Sequence, residues 1–237
     1  MLAAARTSDH REAFRRLKAG LDAKHRETLA ARLAGLDSTL FQTGIPPLDR
    51  ALGGGLARGM IATLEGPVSS GRTALAARLL TMATTQGLGA AIDEGRLYPP
   101  ALAEAGVRLE RLLVVPAAQP LGIARAADIL LRSRAFGVVL MPGVALSAAI
   151  WTRLAGLTHH AGAVLIALAI EASDELRYFA GVRMQCAIER VFWTHSSGIF
   201  CELGGYEVRC DIVKNKRAAP GAGAVIRIER GAHAAMY

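Results

Sequence analysis

Lysine is nearly absent from this chain. Only Lys18, Lys24, Lys214 and Lys216 occur, although Lys and Arg together number 28 and the net charge is +8. Arginine therefore carries the positive charge, and a surplus of this size favours an anionic partner such as nucleic acid. Cysteine is scarce as well. Cys186, Cys201 and Cys210 are odd in number and lack C-x-x-C spacing. That excludes a disulfide framework and a cysteine zinc site, and it points to a reduced, cytosolic protein in which each is a small core residue. Long apolar runs are missing: residues 136–151 are broken by Pro142 and Gly143, and residues 162–170 are too few to span a bilayer. No basic-then-apolar segment opens the chain, so neither a secretory signal nor a membrane partner is expected. Internal repeats are also missing. What remains is 52% hydrophobic, which excludes wholesale disorder and suffices for one sizeable α/β domain.

The most telling segment present is Gly66 to Thr73, G-P-V-S-S-G-R-T. It has the form of a phosphate-binding loop, in which glycines let backbone N–H groups wrap an anion, a lysine reaches the terminal phosphates and the next Ser/Thr holds Mg²⁺. Gly66, Gly71 and Thr73 are in place, with Ser69 and Ser70 between the glycines, but Arg72 stands where the lysine belongs. A guanidinium keeps the charge and loses the compact fit of an ammonium. The flanks suit the motif: Met60–Leu64 predicts a short buried strand, and Thr73–Ala83 predicts a helix with Leu75, Leu79 and Met82 on one face.

The remaining pattern alternates. Strands are expected over Ala90–Asp93, Arg111–Pro116, Val138–Met141 and Ala163–Ile170. Helices are expected over Leu97–Ala105, Leu121–Ala135 and Leu146–His159. The alternation implies a mainly parallel sheet covered by helices on both faces. After Leu176 the segments Met184–Trp193, Ile199–Leu203, Tyr206–Lys214 and Ala224–Glu229 read as antiparallel strands added to one edge, with a tight turn at Gly204-Gly205 and a loop over Lys216–Gly223. The adjacent His159-His160 cannot share a helix face and read as a helix end, with no metal. Residues 1–37 form a separate arm ahead of a core domain over 38–237. In it, His10–Gly35 predicts an amphipathic helix capped by Ser8 or Asp9. Phe14, Leu17 and Leu21 lie on its apolar stripe, and Arg11, Arg15, Arg16 and Lys18 are on its basic faces. The arm either packs on its own core or docks on another protein or on DNA.

From about Phe41 to Glu229 the chain resembles bacterial RecA, the recombinase with a P-loop ATPase core. Three segments carry the likeness: Gly44–Gly59 with the loop that follows, Ala91–Val115, and Leu176–Met184 with V-K-N-K-R-A-A-P at Val213–Pro220. The last is the most specific. The resemblance implies a RecA-like fold. It also marks departures. The catalytic glutamate of RecA falls on Gly95, with Glu94 one residue away. The Mg²⁺-organising aspartate is replaced where Met141 runs into Pro142. The glutamine that senses the terminal phosphate falls near Ala169, and the adenine cradle falls on Pro99 and Leu102. The segment Glu171–Leu176 stands for a DNA-binding loop but carries three acidic residues, which repel phosphate. No counterpart of RecA's C-terminal domain is expected.

A short RecA-like chain with a decayed nucleotide site resembles the ImuA family, and more loosely the SulA-related proteins. That resemblance implies a non-catalytic role in the SOS response to DNA damage, in translesion synthesis and mutagenesis. It implies RecA, an ImuB-type polymerase-like protein, an error-prone DnaE-type polymerase and DNA as partners, in a cytoplasmic, nucleoid-associated setting. No cofactor is required, with weak ATP and Mg²⁺ binding left open. In RecA the two lysines of V-K-N-K reach a neighbour's ATP across the filament interface. Lys214, Asn215 and Lys216 match that stretch, so this chain is expected to cap a RecA filament through them, or else to use the lysines to guard an edge strand. Two other functions stay open: an active RecA-like ATPase or recombination mediator using Arg72 and Glu94, and a SulA-type inhibitor of cell division acting on FtsZ.

Overall fold

The computed structural model describes residues 39–195, 201–217 and 221–229. The arm, with Phe14, Leu17, Leu21, Arg11, Arg15, Arg16 and Lys18, lies outside the described residues. So do Pro220 and much of the loop before Gly223.

A two-residue strand, β1 (Leu40–Phe41), pairs antiparallel with β2 (Leu56–Ala57), and α1 (Pro46–Leu52) lies between them. Proline opens α1, and Gly53 closes it in the left-handed conformation at φ 75°. Then come β3 (Met60–Glu65), α2 (Arg72–Gln86), β4 (Gly89–Asp93), α3 (Pro99–Glu104), β5 (Leu112–Pro116), α4 (Pro120–Ser133), β6 (Val138–Pro142), α5 (Ala148–Ala161), β7 (Val164–Ala169) and α6 (Asp174–Phe179). Three long strands finish the order: β8 (Val182–His195), β9 (Cys201–Asn215) and β10 (Gly223–Glu229). The main sheet has eight strands in the order β10-β9-β8-β3-β7-β6-β4-β5. It is parallel from β8 to β5 and antiparallel from β8 to β10. This is the α/β architecture expected, with its antiparallel strands at one edge.

The core lies in two layers. On one face Leu48, Leu75, Leu79 and Leu80 pack on Leu64, Ile166, Met184 and Val208. On the other, Ile123, Leu131, Trp151 and Leu154 pack on Val139 and Leu165. In α2, Leu75, Leu79 and Ala83 recur at four-residue spacing and all are buried, which is the helical period the sequence shows. Helical cover thins at β5, where Leu113 and Val114 remain 46% and 39% exposed. Strand β5 is the outer strand, with β4 its one neighbour in the sheet.

Three expectations are revised. Gly204-Gly205 is no turn: β9 runs straight through it, and one strand replaces the two expected. The pairing with β8 shifts by one residue between Phe192 and Trp193, leaving Gly204 as the extra residue of a bulge. A Cβ on Gly204 would meet Thr194 Cγ2 at 2.7 Å, so the glycine there serves a close approach between strands. Second, β9 lies between β8 and β10 over Gly205–Asp211, and its last residues, Lys214 among them, run past the cover of β10. Third, Cys201 is exposed, whereas Cys186 and Cys210 are buried. These two face each other across β8 and β9. Their mutual hydrogen bond, with burial, pushes the Cys210 thiol up.

Candidate functional site

The sheet order places β3 between β7 and β8. The loop leaving β3 therefore opens at the carboxyl end of the parallel strands, where open α/β sheets bind ligands. Gly66 N donates to Ala169 O at 3.2 Å and to Ile170 O at 3.1 Å, which ties the loop to the end of β7. A Cβ on Gly66 would lie 2.5 Å from Cys186 O, and one on Gly71 would lie 2.4 Å from Val208 Cγ2. Both framing glycines thus let the loop sit flush on β8 and β9. Gly71 also adopts φ 83° as the residue before α2, and it offers no side chain to cap the helix. The first N–H groups of α2 are left facing the mouth of the loop, the arrangement that holds an anion. Ser69 takes a left-handed φ of 63°, and the buried Ser70 Oγ has no hydrogen-bond partner among the described residues. Thr73 is exposed on the first turn of α2.

Arg72 turns back on its own loop. Its Nη1 donates to Gly66 O and, at 2.9 Å, to Pro67 O. The guanidinium is tied to the carbonyls of its own loop. The parts that would act on ATP are sparse around it. Asp93, at the end of β4, accepts from the N–H groups of Arg96 and Leu97 at 2.9 and 3.1 Å, and so builds a turn. Glu94 is exposed, 3.9 Å from Arg96. Strand β6 ends on Pro142, which has no metal-binding side chain. The loop therefore fits a phosphate through backbone N–H groups. Thr73 offers an exposed hydroxyl at the start of α2, and Asp93 and Glu94 are the carboxylates at the end of β4.

A buried ion pair under the loop was missed in the sequence. Glu65, the residue before Gly66, receives Arg183 Nε and Nη2, both at 2.8 Å. It also accepts from Thr63 Oγ1 at 2.6 Å and Ala172 N at 3.4 Å. Burial alone would raise the Glu65 carboxyl. The bonds from Arg183 and Thr63, the charge of Arg183 and the Ala172 N–H outweigh it and hold the pKa below the usual value. The carboxylate is committed to structure and unavailable as a base. The signal was present: a glutamate closing the apolar run M-I-A-T-L must be paired if it is buried.

The structure parts the two C-terminal lysines. Lys214 Nζ donates to Arg177 O at 2.5 Å and to Tyr178 O at 3.2 Å, closing the end of α6. Burial, then the charges of Lys216 and Arg183, lower its pKa. Lys216 lies beyond the end of β9, its N–H bonded to Gly181 O at 2.9 Å and its side chain exposed. Asn215 Oδ1 accepts from Arg217 N at 3.0 Å. Strand β9 ends at Asn215, between the two lysines. His159 and His160 fall in the last turn of α5 as expected. No metal-binding group of His, Cys, Asp or Glu occurs among the described residues, and no helix among them is long and apolar enough to cross a membrane.

A central strand, a glycine-framed loop, a helix opening on that loop and antiparallel strands on one flank define a RecA-like P-loop core. The crystal structure of the RadB recombinase shares this fold, with a TM-score of 0.64 and 18% identity over 80% of this chain and 97% of that one. Within that class the chain belongs to the family described as the MT3502 N-terminal domain, whose model matches residues 50–173, just over half its length. RecA of Methylococcus capsulatus is 39% identical over 112 residues, 46% of this chain and 32% of that protein. RecA of Synechocystis is 38% identical over 109 residues, 44% and 30% respectively. The chloroplastic DNA repair protein recA homolog 1 of Arabidopsis thaliana is 44% identical over 78 residues, 31% and 17%. The chain spans about a third of the length of the two bacterial RecA proteins.

Proposed function

We propose that this chain is a non-catalytic, RecA-like adaptor in damage-induced translesion synthesis, of the ImuA type. It binds RecA and an ImuB-type and DnaE-type polymerase complex, modulates RecA filaments, and draws affinity for DNA from its +8 charge. The observation that carries the reading is Arg72 bonded to Gly66 O and Pro67 O. A site whose cation is spent on its own loop, with Pro142 and Gly95 in place of carboxylates, retains a fold and not a motor. Lys216, exposed just past the end of β9 and bonded through its N–H to Gly181 O, is the lysine that reaches a neighbouring subunit, while Lys214 holds the end of α6.

The test is ATP binding and hydrolysis by the purified protein, with and without single-stranded DNA, beside Arg72→Lys. The expected result is no turnover in either form, and RecA capture that falls on Lys216→Ala. Turnover above background would replace this reading with that of an active ATPase. RecA capture unchanged by Lys216→Ala would remove the filament-capping part.

A further inference from the structure

A cleft of about 300 Å³ lies away from the phosphate loop, between the start of α1, the outer face of α2 and strand β10. It is lined by both Ile226 and Arg227. Consecutive strand residues face opposite sides of a sheet, and Ile226 is the one on the core-facing side, buried with Leu48 and Leu79. Among the described residues β10 pairs with β9 alone, so its far edge carries no further strand, while α1 packs against it. The cleft's apolar wall is Ile45, Met82 and Ile226. Gly44 brings that wall together, since at φ 73° it has no Cβ, and one built there would stand 2.3 Å from Met82 Cε.

The charge is one-sided. Arg78 and Arg227 line the cleft, and no acidic side chain does. Arg78 is exposed and has no ion pair among the described residues. Arg227 is already engaged, its guanidinium 4.6 Å above the Phe192 ring of β8 and 3.0 Å from Glu229, so Arg78 is the cation left for an incoming carboxylate. The threonine hydroxyls already have partners: Thr81 donates to Ala77 O and Ala105 O, and Thr85 donates to Thr81 O. An open strand edge supplies main-chain bonds, an apolar wall takes every second side chain, and free guanidinium takes carboxylate.

We propose that this cleft is a peptide-docking site. Its occupant is an extended segment of another protein, alternating acidic and aliphatic residues, which adds to β10 as a ninth strand. The site is separate from the phosphate loop and stands or falls independently of the adaptor reading.

The probe is a fluorescein-labelled hexapeptide alternating Asp and Leu, titrated with the full chain by fluorescence anisotropy. Controls are the Lys-Leu counterpart and an unlabelled thymidine oligonucleotide as competitor. Saturable binding of the acidic peptide is expected, weakened at least tenfold by Arg78→Glu and blocked by Thr85→Trp. Both side chains are exposed, and circular dichroism checks that each variant folds. Hydrogen exchange across residues 223–229 is expected to slow on binding. Four results would each overturn the proposal: no saturable binding, indifference to Arg78→Glu, unchanged exchange in β10, or full displacement by the oligonucleotide, which would make the cleft a nucleic-acid surface.

Discussion

Among the described residues the Glu65–Arg183 pair is a buried, multiply bonded charge pair, and its removal should be costly. Two bonds of 2.8 Å join the partners. The Glu65 side chain is 3% exposed and that of Arg183 17%. Arg183→Met would leave a buried carboxylate with only Thr63 and Ala172 for support, and Glu65→Gln would strand a buried guanidinium. Breaking one side of such a pair costs about 3–5 kcal/mol, and the partial exposure of Arg183 sets the lower end, about 3 kcal/mol. In a domain of this size that corresponds to a fall in Tm of about 6–12 °C. Replacing both, as Glu65→Gln with Arg183→Met, removes the uncompensated charge and should cost less than the two single changes added together. Urea denaturation of the four proteins at pH 7 completes the cycle. The pH dependence follows from the depressed carboxyl of Glu65. Its contribution is complete above the ordinary carboxylate value of 4.5 and is lost as pH falls through the lower folded value. The wild type should therefore lose its advantage over Glu65→Gln in acid. Single variants within about 1 kcal/mol of wild type, or a double variant costing the sum of both, would refute this account of the stem beneath the loop.

Gly71→Ala should destabilise by at least about 2 kcal/mol in the same assay, because it adds a methyl 2.4 Å from Val208 at a left-handed φ. Lys214→Met should cost about 1–2 kcal/mol and speed hydrogen exchange in α6, while Lys216→Ala should stay within about 0.5 kcal/mol of wild type. Equal effects would contradict the separation of the two lysines. A maleimide should label Cys201 in the folded protein, and should reach Cys186 and Cys210, buried at 3% and 0% exposure, only on unfolding; rapid triple labelling would place the β8–β9 pairing in error.

The parallel half of the fold was legible because its strands are short apolar runs set between helices of clear period, and the glycine-framed loop announced its own strand and helix. The antiparallel half was harder. Gly204-Gly205 carries the composition of a turn, yet the bulge uses both glycines to bring β9 against its neighbours, and local composition does not tell these apart. The loop residues were found together where expected, but the direction of Arg72 was not legible, since whether a guanidinium turns to its own backbone depends on which carbonyls the loop exposes. The role of Lys214 was hidden for a similar reason: its partners, Arg177 and Tyr178, lie far back in the chain. Pair Glu65–Arg183 spans a far longer interval, 118 residues, and only the burial of a glutamate at a strand end hinted at it.

The position of β3 has a consequence for biosynthesis. It is among the first strands to be made, yet its two neighbours are residues 164–169 and 182–185. At translation rates of ~5–20 residues per second, roughly a hundred residues and on the order of ten seconds separate its appearance from theirs. Through that interval the nascent chain carries an apolar strand with both edges vacant. Recovery of native protein from a cell is thus governed by how well that strand is shielded while the ribosome completes its partners, and slower initiation with ample chaperone should raise the yield more than any change to the finished fold.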